Sequence, residues 1–109
     1  MSGPFKGVRV LELTSTVSGP FAGMMLADQG AEVIKIEPPG IGDLARFMGT
    51  IKECMGAMFS TLNRNKKCIC LDFKNEEELS ILMELVSTAD VSFALFNCAI
   101  FKLDCSCFT

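Results

Sequence analysis

The chain has 109 residues, 50% of them hydrophobic, with ten Lys and Arg against thirteen Asp and Glu and a formal net charge of -3. That length suits one small domain with a modest core, and the acidic balance argues against nucleic acid as a partner, because phosphate binding wants a basic face. The absence of histidine excludes Ser-His-Asp and Cys-His catalysis within the chain, and no apolar run reaches the ~18 residues of a membrane span.

Residues 1–7 lack the charged and apolar regions of a signal peptide, so a cytoplasmic location is the expectation. Residues 8–13, Val-Arg-Val-Leu-Glu-Leu, alternate as a strand with one face on a core. Thr14, Ser15, Thr16, Val17 and Ser18 then form a loop, with Ser18 placed to cap a helix and Pro20 near its first position. The helix runs to Gln29 and ends at Gly30, where a left-handed residue is common. Val33, Ile34 and Ile36 supply a second strand, which makes a β-α-β unit with a parallel pair and a right-handed crossover. In such sheets ligands bind where a strand's carboxyl end feeds a helix N-terminus. The hydroxyls and free N–H groups of this loop would suit a phosphate or a pantetheine amide. Spacing alone leaves open that Ser and Thr here only cap and turn.

Pro38-Pro39-Gly40-Ile41-Gly42-Asp43 is a loop. Gly40, Gly42 and Ala45 fit the dinucleotide fingerprint G-x-G-x-x-A, but two preceding prolines and the lack of an acid ~20 residues on make the match accidental. Residues 54–62 read as a short Met-rich helix facing the core. Arg64, Lys66 and Lys67, with Asn63 and Asn65, form the one basic cluster, able to hold phosphates or to be simply solvated. Residues 68–73 are a third strand. Asn75 caps a helix with Glu76, Glu77 and Glu78 in its first turn and an apolar face of Leu79, Leu82, Met83 and Val86. A fourth strand begins near Val91.

The six cysteines, Cys54, Cys68, Cys70, Cys98, Cys105 and Cys107, lack the C-x2-C spacing of structural zinc sites, so no metal is expected. Without a secretory signal, free thiols are expected. Cys68 and Cys70 share one face of a strand and read as buried small hydrophobes.

Several stretches together resemble one family: residues 7–14 (Gly-Val-Arg-Val-Leu-Glu-Leu-Thr), 18–22, 26–37, Gly42-Asp43 and 62–67 (Leu-Asn-Arg-Asn-Lys-Lys). They are similar to the N-terminal part of the family III CoA-transferases, also called the CaiB/BaiF family, which includes formyl-CoA and carnitine CoA-transferases and α-methylacyl-CoA racemases. The resemblance implies an α/β fold: a Rossmann-like parallel sheet with flanking helices, the truncated first half of the family domain. It covers residues 1–91, followed by a divergent Cys-rich tail over 92–109. It also implies a coenzyme A thioester as substrate, no tightly bound cofactor, and a site lined by Ser15, Thr16, Val17 and Ser18, by Leu62, Asn63, Arg64, Asn65 and Lys66, and by Phe96. Pro38 stands where many members carry an arginine.

The family's catalytic aspartate attacks the acyl-CoA thioester to give a mixed anhydride. None of Asp28, Asp43, Asp72, Asp90 or Asp104 matches its position. The expectation is therefore a CoA-transferase fragment, inactive alone, with the transferase branch preferred to the racemase branch. Two further readings are a non-catalytic CoA- or nucleotide-binding module and an NAD-binding domain built on Gly40, Gly42 and Ala45. The interlocked homodimer known in the family needs a longer chain than this one.

Overall fold

A computed structural model describes residues 3–52 and 55–94. Strand β1 (Arg9–Leu13) leads into helix α1 (Ser18–Asp28) and strand β2 (Glu32–Glu37). A 3-10 turn at Leu44–Phe47 and a small antiparallel pair, β3 (Ile51–Lys52) with β4 (Met55–Gly56), precede α2 (Ala57–Leu62). Strand β5 (Lys67–Cys70), helix α3 (Glu76–Thr88) and strand β6 (Val91–Ala94) complete the described fold.

The main sheet has the order β5-β2-β1-β6, and every pairing in it is parallel. Right-handed crossovers that step one way from β1 and back the other way to β6 place their helices on opposite faces. The packing agrees. Val10 and Val33 meet Ala27 of α1, whereas Leu11, Leu13, Ile34 and Ile36 meet Leu82 of α3. The strand order reverses between β1 and β6, so the loop after β1 lies at the topological switch point.

This arrangement corrects the expectation of a half-exposed first strand. Helices cover both faces, as parallel sheets require, and residues 10–13 are all buried. Glu12 and Lys35, which alternate with the apolar residues, therefore point into protein rather than solvent.

Helix α1 begins at Ser18 itself, and no side chain caps it. Ser18 is thus the first helical residue rather than the cap, and Pro20 the third. Its far end follows the expectation: Gly30 takes φ +101°, Ala31 N donates to Leu26 O at 3.1 Å and Gly30 N to Ala27 O at 3.1 Å. These two bonds are the Schellman closure of a helix.

Helix α3 is capped as its sequence predicts, with Asn75 Oδ1 accepting from the N–H groups of Glu77 and Glu78 at 2.9 and 3.3 Å. Asn75 N donates to Asp72 O instead of to Glu78. Leu79, Leu82, Leu85 and Val86 form the apolar face, and Met83 is exposed. The Met-rich helix is shorter than expected, because Met55 and Gly56 pair with Ile51 and Lys52. Phe59 and Leu62 are buried in it, but Met55 is exposed.

Cys68 and Cys70 are also exposed, which overturns their reading as core residues. Strand β5 is a sheet edge, and only its Ile69 side packs on the α3 cluster. Cys54, Phe96, Cys98, Asp104, Cys105 and Cys107 lie outside the described residues. Within them, no helix is long and apolar enough to cross a membrane.

Candidate functional site

The loop from β1 to α1 is shaped by residues distant in sequence. Thr14 is buried, and its hydroxyl oxygen has no hydrogen-bond partner. Thr16 has φ +76°, a left-handed conformation that is an outlier for a β-branched residue. Lys35 Nζ donates to Thr14 O at 3.0 Å. Asp43 Oδ1 accepts from Thr16 N at 2.9 Å, from Ser15 Oγ at 3.0 Å and from Ala45 N at 2.9 Å. With no side-chain cap, the N–H groups of Ser18 and Gly19 are left for another partner.

Beneath this loop, on the sheet face that carries α1, lies a buried network of charges. Lys35 Nζ is 2.8 Å from Asp43 Oδ2 and 3.6 Å from Glu12 Oε2, and all three side chains are fully enclosed. Lys66 reaches in from the turn before β5. Its ammonium donates to both carboxylate oxygens of Glu12 at 2.9 Å, to Pro20 O at 2.8 Å and to Asn63 Oδ1 at 2.8 Å. Glu37 extends the array, accepting from Asp43 N at 3.2 Å and from Arg46 Nε and Nη2 at 3.0 and 2.7 Å. The Arg46 guanidinium lies 3.8 Å over the Phe59 ring.

Burial pushes the Asp43 carboxyl up, but Lys35 and the Thr16 and Ala45 N–H groups outweigh it and hold the acid below its usual range. Burial pulls Lys66 down, more than Glu12 raises it. Isolated buried charges are prohibitively unfavourable, so a network of this kind persists only when each member is paired and hydrogen-bonded.

Of the residues singled out from sequence, Ser15, Thr16, Val17 and Ser18 stand together at the carboxyl end of β1. The second segment divides. Leu62, Asn63 and the Lys66 side chain are buried, with Asn63 Nδ2 bonded to Phe59 O at 3.0 Å. Arg64 and Asn65 are exposed and dock on Asp28, the last residue of α1: Arg64 Nη2 donates to it at 2.6 Å and Asn65 Nδ2 at 2.7 Å. Lys67 pairs with Glu32 at 2.7 Å. The cluster that reads as free cations is thus, in the fold, three ion pairs. Arg46 stands as a cation in the loop that Pro38 opens, though Glu37 neutralises it. Phe96 lies outside the described residues.

Sequence reasoning missed Glu12, Lys35 and Asp43. Their signals were a charge inside each apolar strand and the Gly42-Asp43 step. The other described aspartates hold bonds elsewhere in the fold: Asp28 to Arg64, Asp72 to Lys74 N, and Asp90 to Arg9 N. Among the described residues, no group of three or more His, Cys, Asp or Glu side chains is placed to hold a metal.

A parallel sheet with a helix on each face and a clamped loop at its switch point defines a doubly wound α/β unit. The family model of CoA-transferase family III matches residues 5–99, and the chain belongs to that family. Acetyl-CoA:oxalate CoA-transferase of Acetobacter aceti is 45% identical over 89 residues, which are 82% of this chain and 23% of that enzyme. Human succinyl-CoA:glutarate CoA-transferase is 43% identical over 93 residues, 81% of this chain and 20% of that enzyme. The crystal structure of a CaiB/BaiF family protein from Brucella suis superposes with a TM-score of 0.81 at 36% identity, over 91% of this chain and 27% of that one. The chain thus spans 20–27% of the length of these relatives. The resemblance and the α/β fold expected from it hold, and the match continues past residue 91 to 99, with β6 in the sheet through Ala94.

Proposed function

We propose that this chain is the CoA-binding portion of an enzyme that transfers CoA between an acyl-CoA and a carboxylic acid, and that it binds CoA without turning it over alone. The observation that carries the reading is the loop at the switch point: its Thr16 is left-handed, and the helix it enters keeps first-turn N–H groups free of any side-chain cap. Such groups, with the positive end of the helix dipole, suit phosphate or carbonyl oxygen.

In this reading Ser15, Thr16, Val17 and Ser18 receive one part of CoA. Arg64 and Asn65 stand at the other end of α1, an 11-residue helix about 16 Å long, and border a second part of an extended ligand. Leu62, Asn63 and Lys66 act from beneath, because their side chains are buried. The transferase branch is favoured over the racemase branch because the curated relatives named above are CoA-transferases. The attacking carboxylate is supplied from outside the described residues, whose aspartates are each engaged in hydrogen bonds within the fold.

Thermal melting of the purified chain in increasing CoA, with NAD in parallel, tests this, since a ligand that binds only the folded state raises Tm by mass action. A rise with CoA and none with NAD is expected. A cooperative melt indifferent to CoA would overturn the proposal, as would acyl-CoA transfer by the chain alone.

A further inference from the structure

The loop after β1 is held from both sides by a single buried pair. Lys35 comes from β2 and grips Thr14 O at 3.0 Å; Asp43 comes from the loop after β2 and grips Thr16 N at 2.9 Å and Ser15 Oγ at 3.0 Å. The two side chains meet at 2.8 Å and are fully enclosed. Directly at the last gripped atom the chain takes an outlier conformation, the φ of Thr16, of the kind that persists only where the surroundings over-determine it and that clusters at ligand clamps.

The fold itself does not call for this. The N-cap of α1 is Val17, which has no side-chain acceptor to offer whatever the loop does, and apolar residues often replace a buried ion pair without loss of stability. What the pair does accomplish is to fix Thr14 O, Ser15 Oγ and Thr16 N together at the entrance to α1.

We propose that Lys35 and Asp43 are positioning residues for ligand binding: they hold residues 14–16 in the path that leads into α1, so that its first N–H groups, left without a side-chain cap by Val17 at the N-cap, are presented to the phosphate or carbonyl oxygens of a CoA derivative. This rests on the reading that the loop takes CoA. Neither residue touches the ligand; both act through the backbone they hold.

The test compares the full chain with Lys35→Met/Asp43→Leu, which removes both charges together, and with Asp43→Asn, which keeps the shape. CoA affinity is read by calorimetric titration, folding by Tm, and the clamp by amide hydrogen exchange at Thr16. The expected result is a cooperatively folded double variant whose Kd for CoA rises at least tenfold and whose Thr16 amide exchanges at least tenfold faster. A folded double variant with the original Kd would overturn the proposal. Should the double variant not fold, Asp43→Asn decides, with unchanged Kd and unchanged Thr16 exchange counting against the clamp and a rise in both supporting it. If the unaltered chain shows no CoA binding, the ligand reading has failed. Thr16 exchange then judges the clamp separately, and equal rates in chain and variant overturn it.

Discussion

Glu12 and Lys35 are direct neighbours across the parallel β1–β2 pairing, and each is bound to a further charge, Lys66 for Glu12 and Asp43 for Lys35. Four charged side chains therefore close one another off inside the protein, beneath the loop proposed to meet CoA.

The acid limb of stability should be governed by Asp43. Its folded pKa lies below its ordinary value of 3.8 because Lys35 and two N–H groups outweigh burial. The unfolded chain thus takes up the proton first, so the stabilisation is complete above about pH 4 and is lost as pH falls through the folded value. Lys66 carries a cost rather than a gain: its lowered pKa makes the charged form less favoured in the fold, a burden present below the lowered value and relieved as pH rises toward 10.5. Urea midpoints measured from pH 7 down to pH 2.5 should drop below about pH 4, and Lys35→Met/Asp43→Leu should flatten that drop.

Gly23→Ala should destabilise the chain although alanine is the better helix former. An added Cβ would stand 2.6 Å from Glu12 Oε1 and 3.1 Å from Lys66 Nζ, and Glu12 is held by its lysines and has no room to swing away. Overpacking of this kind costs about 1–3 kcal/mol, against up to about 1 kcal/mol gained in helix propensity. A lower urea midpoint at unchanged m-value is the expected outcome.

Leu82 is fully buried under β1 and β2, while its neighbour Ile81 is 47% exposed. Leu82→Ala should cost about 2–5 kcal/mol, and Ile81→Ala should stay within about 0.5 kcal/mol. Equal effects in chemical denaturation would mean that α3 presents a different face to the sheet.

The two cations flanking Asn65 should separate structure from binding. Lys66→Met leaves Glu12 with only Lys35 at 3.6 Å, and breaking a buried pair costs about 3–5 kcal/mol. Arg64→Ala, at an exposed pair with Asp28, should leave stability nearly unchanged while raising Kd for CoA. Melting and titration of both variants check this, and a stable Lys66→Met would refute the inward role of Lys66.

The parts of this fold that could be read from sequence are those fixed locally. Asn75 with three following glutamates specifies a helix start, and Gly30 after an apolar helix specifies an end, whatever packs around them. The parts that escaped depend on strand order. Glu12 and Lys35 look like the solvent side of an alternating strand until α1 is known to cover that side, and Cys68 looks interior until β5 is known to be an edge. Asp43 could not be assigned to the Ser15 loop because nothing in the sequence between two residues 28 positions apart announces the contact. The basic turn was seen as a cluster, but which way each cation points follows from the positions of Glu12, Asp28 and Glu32.

The same alternation also settles how the two central strands align. Val10, Glu12, Val33 and Lys35 lie on one side of the sheet, and Leu11, Leu13, Ile34 and Ile36 lie on the other. Sliding β2 by one residue along β1 would turn its lysine into the leucine-rich layer under α3 and leave Glu12 facing an isoleucine. Greasy strands alone would tolerate several alignments; the buried charges act as a key that admits one.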